Sequence, residues 1–199
     1  MSKKLVLASN NKGKLREFNA LFGAKAIEVV AQGSLGVGSC DEPFETFLEN
    51  ALAKARHASR ETGLPAMADD SGITAEALEG RPGVYSARYA GEPSDDDANN
   101  RKLVSELSGK QDKRAHYTCV LVAVKSEKDP EPVVVQGHWS GEIVAEPKGE
   151  GGFGYDPHFY VPSFGKTAAE MTAEEKNAVS HRGQAMRLML EALGERWGW

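Results

Sequence analysis

The sequence predicts an α/β fold with a mixed central sheet and flanking helices, and three observations indicate it. Residues 3–9 form an apolar strand that breaks into the polar run SNNKGK, after which residues 14–22 carry a helical apolar stripe. Residues 27–31 repeat the strand pattern before a glycine-rich loop. Three further strand patterns follow one another at residues 115–125, 133–138 and 142–145. This succession of strands indicates that part of the sheet is antiparallel.

The remaining elements follow from helical spacing and from turn residues. Apolar residues recur on one helical face over residues 44–62. Acidic residues 95–97 favour the start of a helix that runs to about residue 107, because a helix N-terminus stabilises negative charge. Between these helices, the stretch LPAMA runs into ADDSG, which we expect to end a strand in a polar turn. A short strand at residues 158–161 and two helical segments complete the chain.

Size and composition limit the class of protein. A chain of 199 residues with 40% apolar content can bury its own core, so we expect one domain over residues 1–199. Cys40 and Cys119 belong to no CxxC pair, which predicts a reducing cytoplasm and no zinc site. No stretch is long and apolar enough for a signal peptide or a membrane span. The net charge of −5 argues against a nucleic-acid partner.

Two acidic clusters are candidates for chemistry. In ADDSG, Asp69 and Asp70 are adjacent, so on a strand their side chains point to opposite faces and serve different purposes. On this stretch alone, a solvated turn with Ser71 and Gly72 as turn residues explains the pair. Asp41, Glu42 and Glu45 precede the long helix, where they could simply complement its N-terminus. If that loop folds over the end of the Asp70 strand, a Glu and an Asp together suit Mg²⁺, which binds few carboxylates plus substrate phosphates.

Lysines near the proposed loop ends indicate an anionic ligand. They are Lys12, Lys14, Lys54 and Lys176. Any one of them would pass as a solvated surface residue, but four in an acidic protein are better explained by a polyphosphate. The chain does not have a P-loop, because GxxxxGK[ST] would require glycine at Ala8 and Ser or Thr at Leu15.

Two later motifs could form a base pocket. GGFGYDP, residues 151–157, combines flexible glycines with Phe153, Tyr155 and the acceptor Asp156. Aromatic rings stack on bases and hydrogen bonds discriminate among them, although a glycine-rich hairpin with buried aromatics is an equal alternative. In SHRG, residues 180–183, Ser180 can cap the helix that follows. Capping explains the serine but not the presence of two hydrogen-bond donors, His181 and Arg182, beside it.

Six motifs follow one another along the chain: SNNKGK, a Glu followed by TFLENA, ADDSG, PGVYSARYAG, GGFGYDP and EKNAVSHRG. In this order they resemble the motifs of the inosine triphosphate pyrophosphatase family. They extend from residue 9 to residue 183, so the resemblance covers nearly the whole chain. It implies two lobes around a substrate cleft, a homodimer and Mg²⁺ dependence. It also implies hydrolysis of purine nucleoside triphosphates with non-standard bases (ITP, dITP, XTP) to nucleoside monophosphate and pyrophosphate.

The resemblance assigns roles residue by residue. Around the triphosphate it places Ser9, Asn10, Asn11, Lys12, Gly13, Lys14 and Lys54. Glu42 matches the metal-associated acid, with Asp41 or Glu45 as alternatives, and Asp70 matches the metal ligand and proton acceptor. Ser71 lies beside the substrate. Around the nucleoside it places Phe153, Gly154, Tyr155, Asp156, Lys176, His181 and Arg182.

Two other functions are compatible with part of this pattern. A nucleotide-binding sensor without turnover would need the lysines and the aromatic pocket but not the acid pair. A pyrophosphatase for other modified nucleotides would share the chemistry and differ in the base pocket. The acid pair Glu42 and Asp70 favours an enzyme.

Overall fold

The computed structural model describes residues 3–199, which fold around a seven-stranded sheet. The strands are β1 (Lys3–Leu7), β2 (Ile27–Ala31), β3 (Ala66–Ala75), β4 (Arg114–Val124), β5 (Val133–Ile143), β6 (Phe159–Val161) and β7 (Lys166–Thr167). The α-helices are α1 (Lys12–Phe22), α2 (Phe47–Thr62), α3 (Asp96–Leu107), α4 (Ala173–Val179) and α5 (His181–Trp197). Short 3₁₀ turns connect several of them. Within residues 3–199, no helix combines the length and apolar character needed to cross a membrane.

The sheet has the order β2-β1-β3-β4-β5-β6-β7 and is mixed. Strand β1 pairs in parallel with β2 and with β3, whereas β6 pairs antiparallel with β5 and with β7. The carboxyl ends of β1 and β2 therefore lie at the same edge, where open α/β sheets bind ligands. The predicted mixed α/β sheet with flanking helices is confirmed, and the predicted substrate cleft stays a prediction.

Strand β3 differs from the sequence prediction. We expected ADDSG to end a strand in a turn, but β3 continues through it from Ala66 to Ala75. The reason is electrostatic, because Asp69 and Asp70 each contact a lysine and therefore do not need a solvated turn.

Strand β5 also differs, since residues 133–143 form one strand where two were predicted. The two predicted strands, at residues 133–138 and 142–145, leave a gap over residues 139–141. Gly141 instead allows close strand pairing, because a Cβ atom there would lie 2.5 Å from the carbonyl oxygen of Tyr160. Exposed and buried residues alternate along most of the strand.

Three helix starts differ by a few residues from their predicted positions. Helix α1 begins at Lys12 because Asn11 accepts hydrogen bonds from the backbone of Gly13 and Lys14. Helix α2 begins at Phe47 after the capping residue Thr46, not at residue 44. Helix α5 begins at His181, so the SHRG donors lie in its first turn and not ahead of it.

The chain divides into two compact units, each with its own core. The first contains the chain through Asp70 with residues 120–136 and 185–199, and the second contains residues 71–119 and 137–184. In the first core, small residues of α2 such as Ala51 and Ala55 pack with valines and alanines of the strands. The second core is richer in aromatic residues, including Trp139 and Phe159. The single domain expected over residues 1–199 remains a prediction.

Candidate active site

The loop after β1 is fixed by its two asparagines. The side chain of Asn11 caps α1, with its Oδ1 at 2.8 Å from the backbone nitrogen of Gly13 and 3.0 Å from that of Lys14. The Oδ1 of Asn10 accepts a hydrogen bond of 2.8 Å from the backbone nitrogen of Gly33. A Cβ atom at Gly33 would lie 2.3 Å from this oxygen, so a larger residue there would displace the Asn10 side chain. This loop therefore has a defined conformation at the carboxyl end of β1.

Lys54 joins the two acids that were predicted to bind metal. Its Nζ lies 2.8 Å from Oδ1 of Asp70 and 3.2 Å from Oε2 of Glu42. It also donates a 3.1 Å hydrogen bond to the backbone oxygen of Asp69. Of the three acids in the loop before α2, Glu42 contacts Lys54, while Asp41 and Glu45 are exposed.

Burial and neighbouring charges together set the protonation states of Asp70 and Lys54. The pKa of Asp70 is raised to about 6, mainly by burial and also by the nearby Glu42 carboxylate, while the Lys54 ammonium opposes both effects. Burial lowers the pKa of Lys54, but attraction by Asp70 and Glu42 outweighs it, so the net shift is upward. Lys54 therefore stays charged between the two carboxylates.

The neighbouring acid Asp69 contacts a different lysine. Its buried carboxylate accepts a 3.2 Å hydrogen bond from Nζ of Lys14 on α1. Asp69 and Asp70 thus contact lysines from different helices, as their alternation along a strand predicts. Asp69 was not among the predicted site residues, although its position beside Asp70 was noted.

Lys14, Lys54, Glu42 and Asp69 line a cavity of about 220 Å³ in the first unit, whereas Asp70 lies behind Lys54 and outside that lining. Its lining includes the predicted residues Ser9, Asn10, Lys14, Glu42 and Lys54. It also includes residues that the sequence analysis did not place in the site, namely Ala8, Gln32, Ser39, Cys40 and Asp69. Gln32 follows β2, so a search for polar residues after each strand would have found it. Lys12 is exposed at the start of α1, and Ser71 is half-buried on β3.

In the second unit, Asp156 organises the glycine-rich loop. Its buried Oδ2 accepts a 2.9 Å hydrogen bond from the backbone nitrogen of Phe153 and contacts the ammonium of Lys176. A Cβ atom at Gly152, whose φ is +77°, would lie 2.1 Å from that Oδ2. The glycine is therefore required both by the backbone conformation and by the approach of the carboxylate.

Two cations face the ring of Phe153, which is 53% exposed. Nζ of Lys176 lies 4.8 Å from the ring centroid, and Cζ of Arg182 lies 5.6 Å from it. An exposed aromatic face beside positive donors can stack a base and hydrogen-bond its carbonyl oxygens.

His181 is buried in a stack of rings that sequence reasoning missed. Its ring lies 4.6 Å from that of Tyr117 with an interplanar angle of 7°, and 6.3 Å from that of Trp139. The hydroxyl of Tyr117 also donates a 3.5 Å hydrogen bond to Asp156. Because Tyr117 and Trp139 lie on β4 and β5, far from SHRG along the chain, no local pattern could have paired them with His181.

Gly154 and Tyr155 attach the loop to the rest of the second unit. The Tyr155 hydroxyl donates a 2.7 Å hydrogen bond to the backbone oxygen of Ser86, and its ring lies in the aromatic core. The backbone of Gly154 is bound on both sides by α3, to Asp96 and to Asn100. Their predicted contact with substrate stays a prediction.

The donor set around Lys54 fits Mg²⁺. Glu42 and Asp70 offer hard carboxylate oxygens that already converge on one cation. Within residues 3–199, no group of three or more His, Cys, Asp or Glu side chains forms a closed metal cage. Two carboxylates with the remaining positions left to water and phosphate are typical of Mg²⁺ sites.

Comparisons with known proteins agree with this description. The sequence pattern of the Ham1 family matches residues 5–192. A dITP/XTP pyrophosphatase of Nitrosomonas europaea is 60% identical over 192 residues, 96% of this chain and 95% of that protein. One from Ralstonia nicotianae is 59% identical, covering 96% of each chain. The structure of a HAM1 protein from Coxiella burnetii gives a TM-score of 0.93 at 46% identity, covering 97% of this chain and 99% of that one.

The names of these relatives bear out the resemblance drawn from the six motifs, and the structural match bears out the α/β fold. The family pattern covers almost the whole chain, including both the carboxylates around Lys54 and the loop around Asp156. This chain is a member of the Ham1 family.

Proposed function

We propose that this chain hydrolyses purine nucleoside triphosphates with non-standard bases, namely ITP, dITP and XTP, to the nucleoside monophosphate and pyrophosphate. The observation that carries the proposal is the contact of Glu42 and Asp70 with one ammonium, that of Lys54, beside a polar cavity. Relatives named dITP/XTP pyrophosphatase support the substrate class. The acid pair favours an enzyme over a nucleotide-binding sensor, because a sensor needs the lysines and the aromatic pocket but not the two carboxylates.

The first unit supplies the groups for the triphosphate. Lys14 and Lys54 are positively charged, and Ser9 and Asn10 add polar groups to the same cavity. In the proposed reaction, Asp70 takes the proton from a water that attacks the α-phosphorus, and the lysines stabilise the charge of the departing pyrophosphate. The bond that breaks joins the α-phosphorus to the oxygen that bridges it to the β-phosphorus.

Glu42 and Asp70 would hold the Mg²⁺ ion. When bound, it neutralises charge on the phosphate oxygens. The chain's own lysines act in addition, because Lys54 already contacts both carboxylates.

The second unit supplies base recognition. Phe153 offers an exposed ring for stacking, and Lys176, His181 and Arg182 offer hydrogen-bond donors. Hypoxanthine and xanthine present an acceptor at O6, where adenine presents an amino donor. Donors at that position therefore favour ITP and XTP over ATP.

The proposal extends to a homodimer in the cytoplasm, as the family resemblance implies. The cysteines Cys40 and Cys119 are free thiols, which suits a reducing compartment. The small-molecule partner is the nucleoside triphosphate, and the acidic net charge of −5 argues against a nucleic-acid polymer.

The test is a panel of ITP, dITP, XTP, ATP and GTP with Mg²⁺, assayed separately for pyrophosphate and for orthophosphate. We expect pyrophosphate from the first three and much slower reaction of ATP and GTP. Orthophosphate as the primary product would contradict attack at the α-phosphorus. Equal rates with ATP would contradict recognition of O6, and binding without turnover would identify a sensor.

A further inference from the structure

A second cavity in the first unit has not been assigned a role. Its volume is about 510 Å³, within the range of small-molecule sites. Basic side chains dominate its lining, namely Arg56, His57, Arg60 and Lys128, with Glu127 as the acidic member. The lining carries three permanent positive charges and one carboxylate, and Glu61 outside the lining forms an ion pair with Arg60. A net positive charge therefore remains there in a protein whose net charge is −5.

The protein itself satisfies only part of the guanidinium donors of this cavity. Nε of Arg60 donates a 2.9 Å hydrogen bond to Oε1 of Glu61, so that neighbouring carboxylate partly balances its charge. Arg56 donates one long hydrogen bond, 3.5 Å from Nη2 to the backbone oxygen of Asp129. Its buried Nε has no hydrogen-bond partner among the residues that the structure describes. Glu127 reaches Arg60 only at 3.9 Å, between side chains that are 41% and 51% exposed. Arg56 and the Nη1 group of Arg60 thus keep donors for an external acceptor.

The arrangement of the basic residues is fixed by α2 and by the loop before it. Arg56, His57 and Arg60 are spaced along one face of α2. Arg60 donates a 3.0 Å hydrogen bond to Nδ1 of His57, so the ring proton lies on Nε2, which points to the backbone oxygen of Gly38 at 3.3 Å. His57 therefore orients Arg60.

The location indicates the chemistry of the ligand. Cys40 lines both this cavity and the one that contains Lys14 and Lys54, so the two cavities are neighbours. Planar guanidinium groups match the oxygens of phosphate, to which they can donate two parallel hydrogen bonds. We propose that the cavity lined by Arg56, Arg60 and Lys128 is a second site, for a small phosphate-bearing anion, beside the proposed catalytic cavity.

The experiment is isothermal titration calorimetry on the full chain in EDTA, with orthophosphate, pyrophosphate and IMP as separate probes. The test variant is Arg56→Gln/Arg60→Gln, and the control is Arg101→Gln, an exposed arginine on α3. We expect wild type and control to bind one more equivalent of at least one probe than the test variant, or to bind it at least about tenfold more tightly. The probe bound most tightly identifies the source of the phosphate group.

A second variant guards against misfolding. Lys128 is exposed, so Lys128→Gln should leave circular dichroism unchanged and weaken the same binding event about fivefold. Identical isotherms for wild type and both variants would overturn the proposal. Citrate and a single-stranded oligonucleotide are titrated in the same way. Equally tight binding of citrate would overturn the restriction of the site to phosphate groups, and binding of the oligonucleotide alone would overturn the choice of a small anion. Calorimetry without metal measures no turnover, so these outcomes are independent of the hydrolysis assay.

Discussion

Replacing Lys54 by methionine isolates the electrostatic cost of the carboxylate pair. In the native protein, the pKa of Asp70 is raised from 3.8 to about 6, so its ionisation already weakens the folded state as the pH rises through that interval. Without the ammonium at 2.8 Å, the pKa of Asp70 moves further up. The loss of stability then continues to grow above pH 6, at about 1.4 kcal/mol per pH unit.

The magnitude follows from proton uptake. Without Lys54, Asp70 can bind a proton in the folded variant instead of remaining a charged carboxylate without a partner. For a native pKa of about 6, binding that proton at pH 7.5 costs about 2 kcal/mol, which is the upper limit of the stability lost through the missing ion pair. The lost hydrogen bond from Lys54 to the backbone oxygen of Asp69 adds about 1 kcal/mol. We expect Lys54→Met to lower the free energy of unfolding by about 3 kcal/mol at pH 7.5 and by about 1 kcal/mol at pH 6.

The assay is urea unfolding in EDTA at both pH values, which keeps metal ions away from Glu42 and Asp70. Lys12→Met is the matched control, because Lys12 is exposed at the start of α1 and its replacement should change stability by less than about 0.5 kcal/mol. The reasoning would be refuted if the two variants had the same free energy of unfolding. It would also be refuted if the loss in Lys54→Met were no larger at pH 7.5 than at pH 6.

Two further predictions concern the second unit. Gly152→Ala places a Cβ atom 2.1 Å from Asp156 at a φ of +77°, so it should cost more than about 2 kcal/mol in urea unfolding. Gly154 has a φ of +61° but no atom within 4 Å of an added Cβ, so Gly154→Ala should cost only about 1 kcal/mol of unfolding free energy. Equal losses for the two variants would contradict a steric role for the Asp156 carboxylate next to Gly152. Tyr117→Leu removes the ring stacked on His181, so the ratio of kcat/KM for ITP to that for ATP should fall about tenfold, roughly 1.4 kcal/mol. Tyr117→Phe should keep that ratio, and a fall shared by both variants would show that the stack is not what orients His181.

Local patterns in the sequence predicted the opening elements well. The strand, the asparagine loop and the helix over residues 3–22 all formed because apolar periodicity and side-chain capping act between near neighbours. The same holds for residues 27–31, which match β2 residue for residue.

What the sequence did not predict depends on partners far along the chain. Residues 69–72 continue a strand because lysines from two helices contact the adjacent acids. Residues 140–141 stay within β5 because β6 approaches Gly141 closely. Propensity predicts a turn at both places, and tertiary contacts override it.

The candidate site likewise has residues that local sequence identifies and residues that only the folded chain identifies. The glycine-rich loop and the acidic loop were recognisable from composition, but the choice of Glu42 among three acids required the position of Lys54. The rings that hold His181 come from β4 and β5, and only the folded sheet brings them to α5.

The most direct test of the proposed chemistry is the turnover of ITP by Asp70→Asn at saturating ITP and Mg²⁺. The variant keeps the shape of the side chain but loses its charge and its capacity to accept a proton, so turnover should fall about 10²- to 10⁴-fold. Asp97→Asn, an exposed acid on α3, is the control and should keep wild-type turnover. If Asp70→Asn folds by circular dichroism and retains more than about a tenth of wild-type turnover, Asp70 is not the base and the account is contradicted.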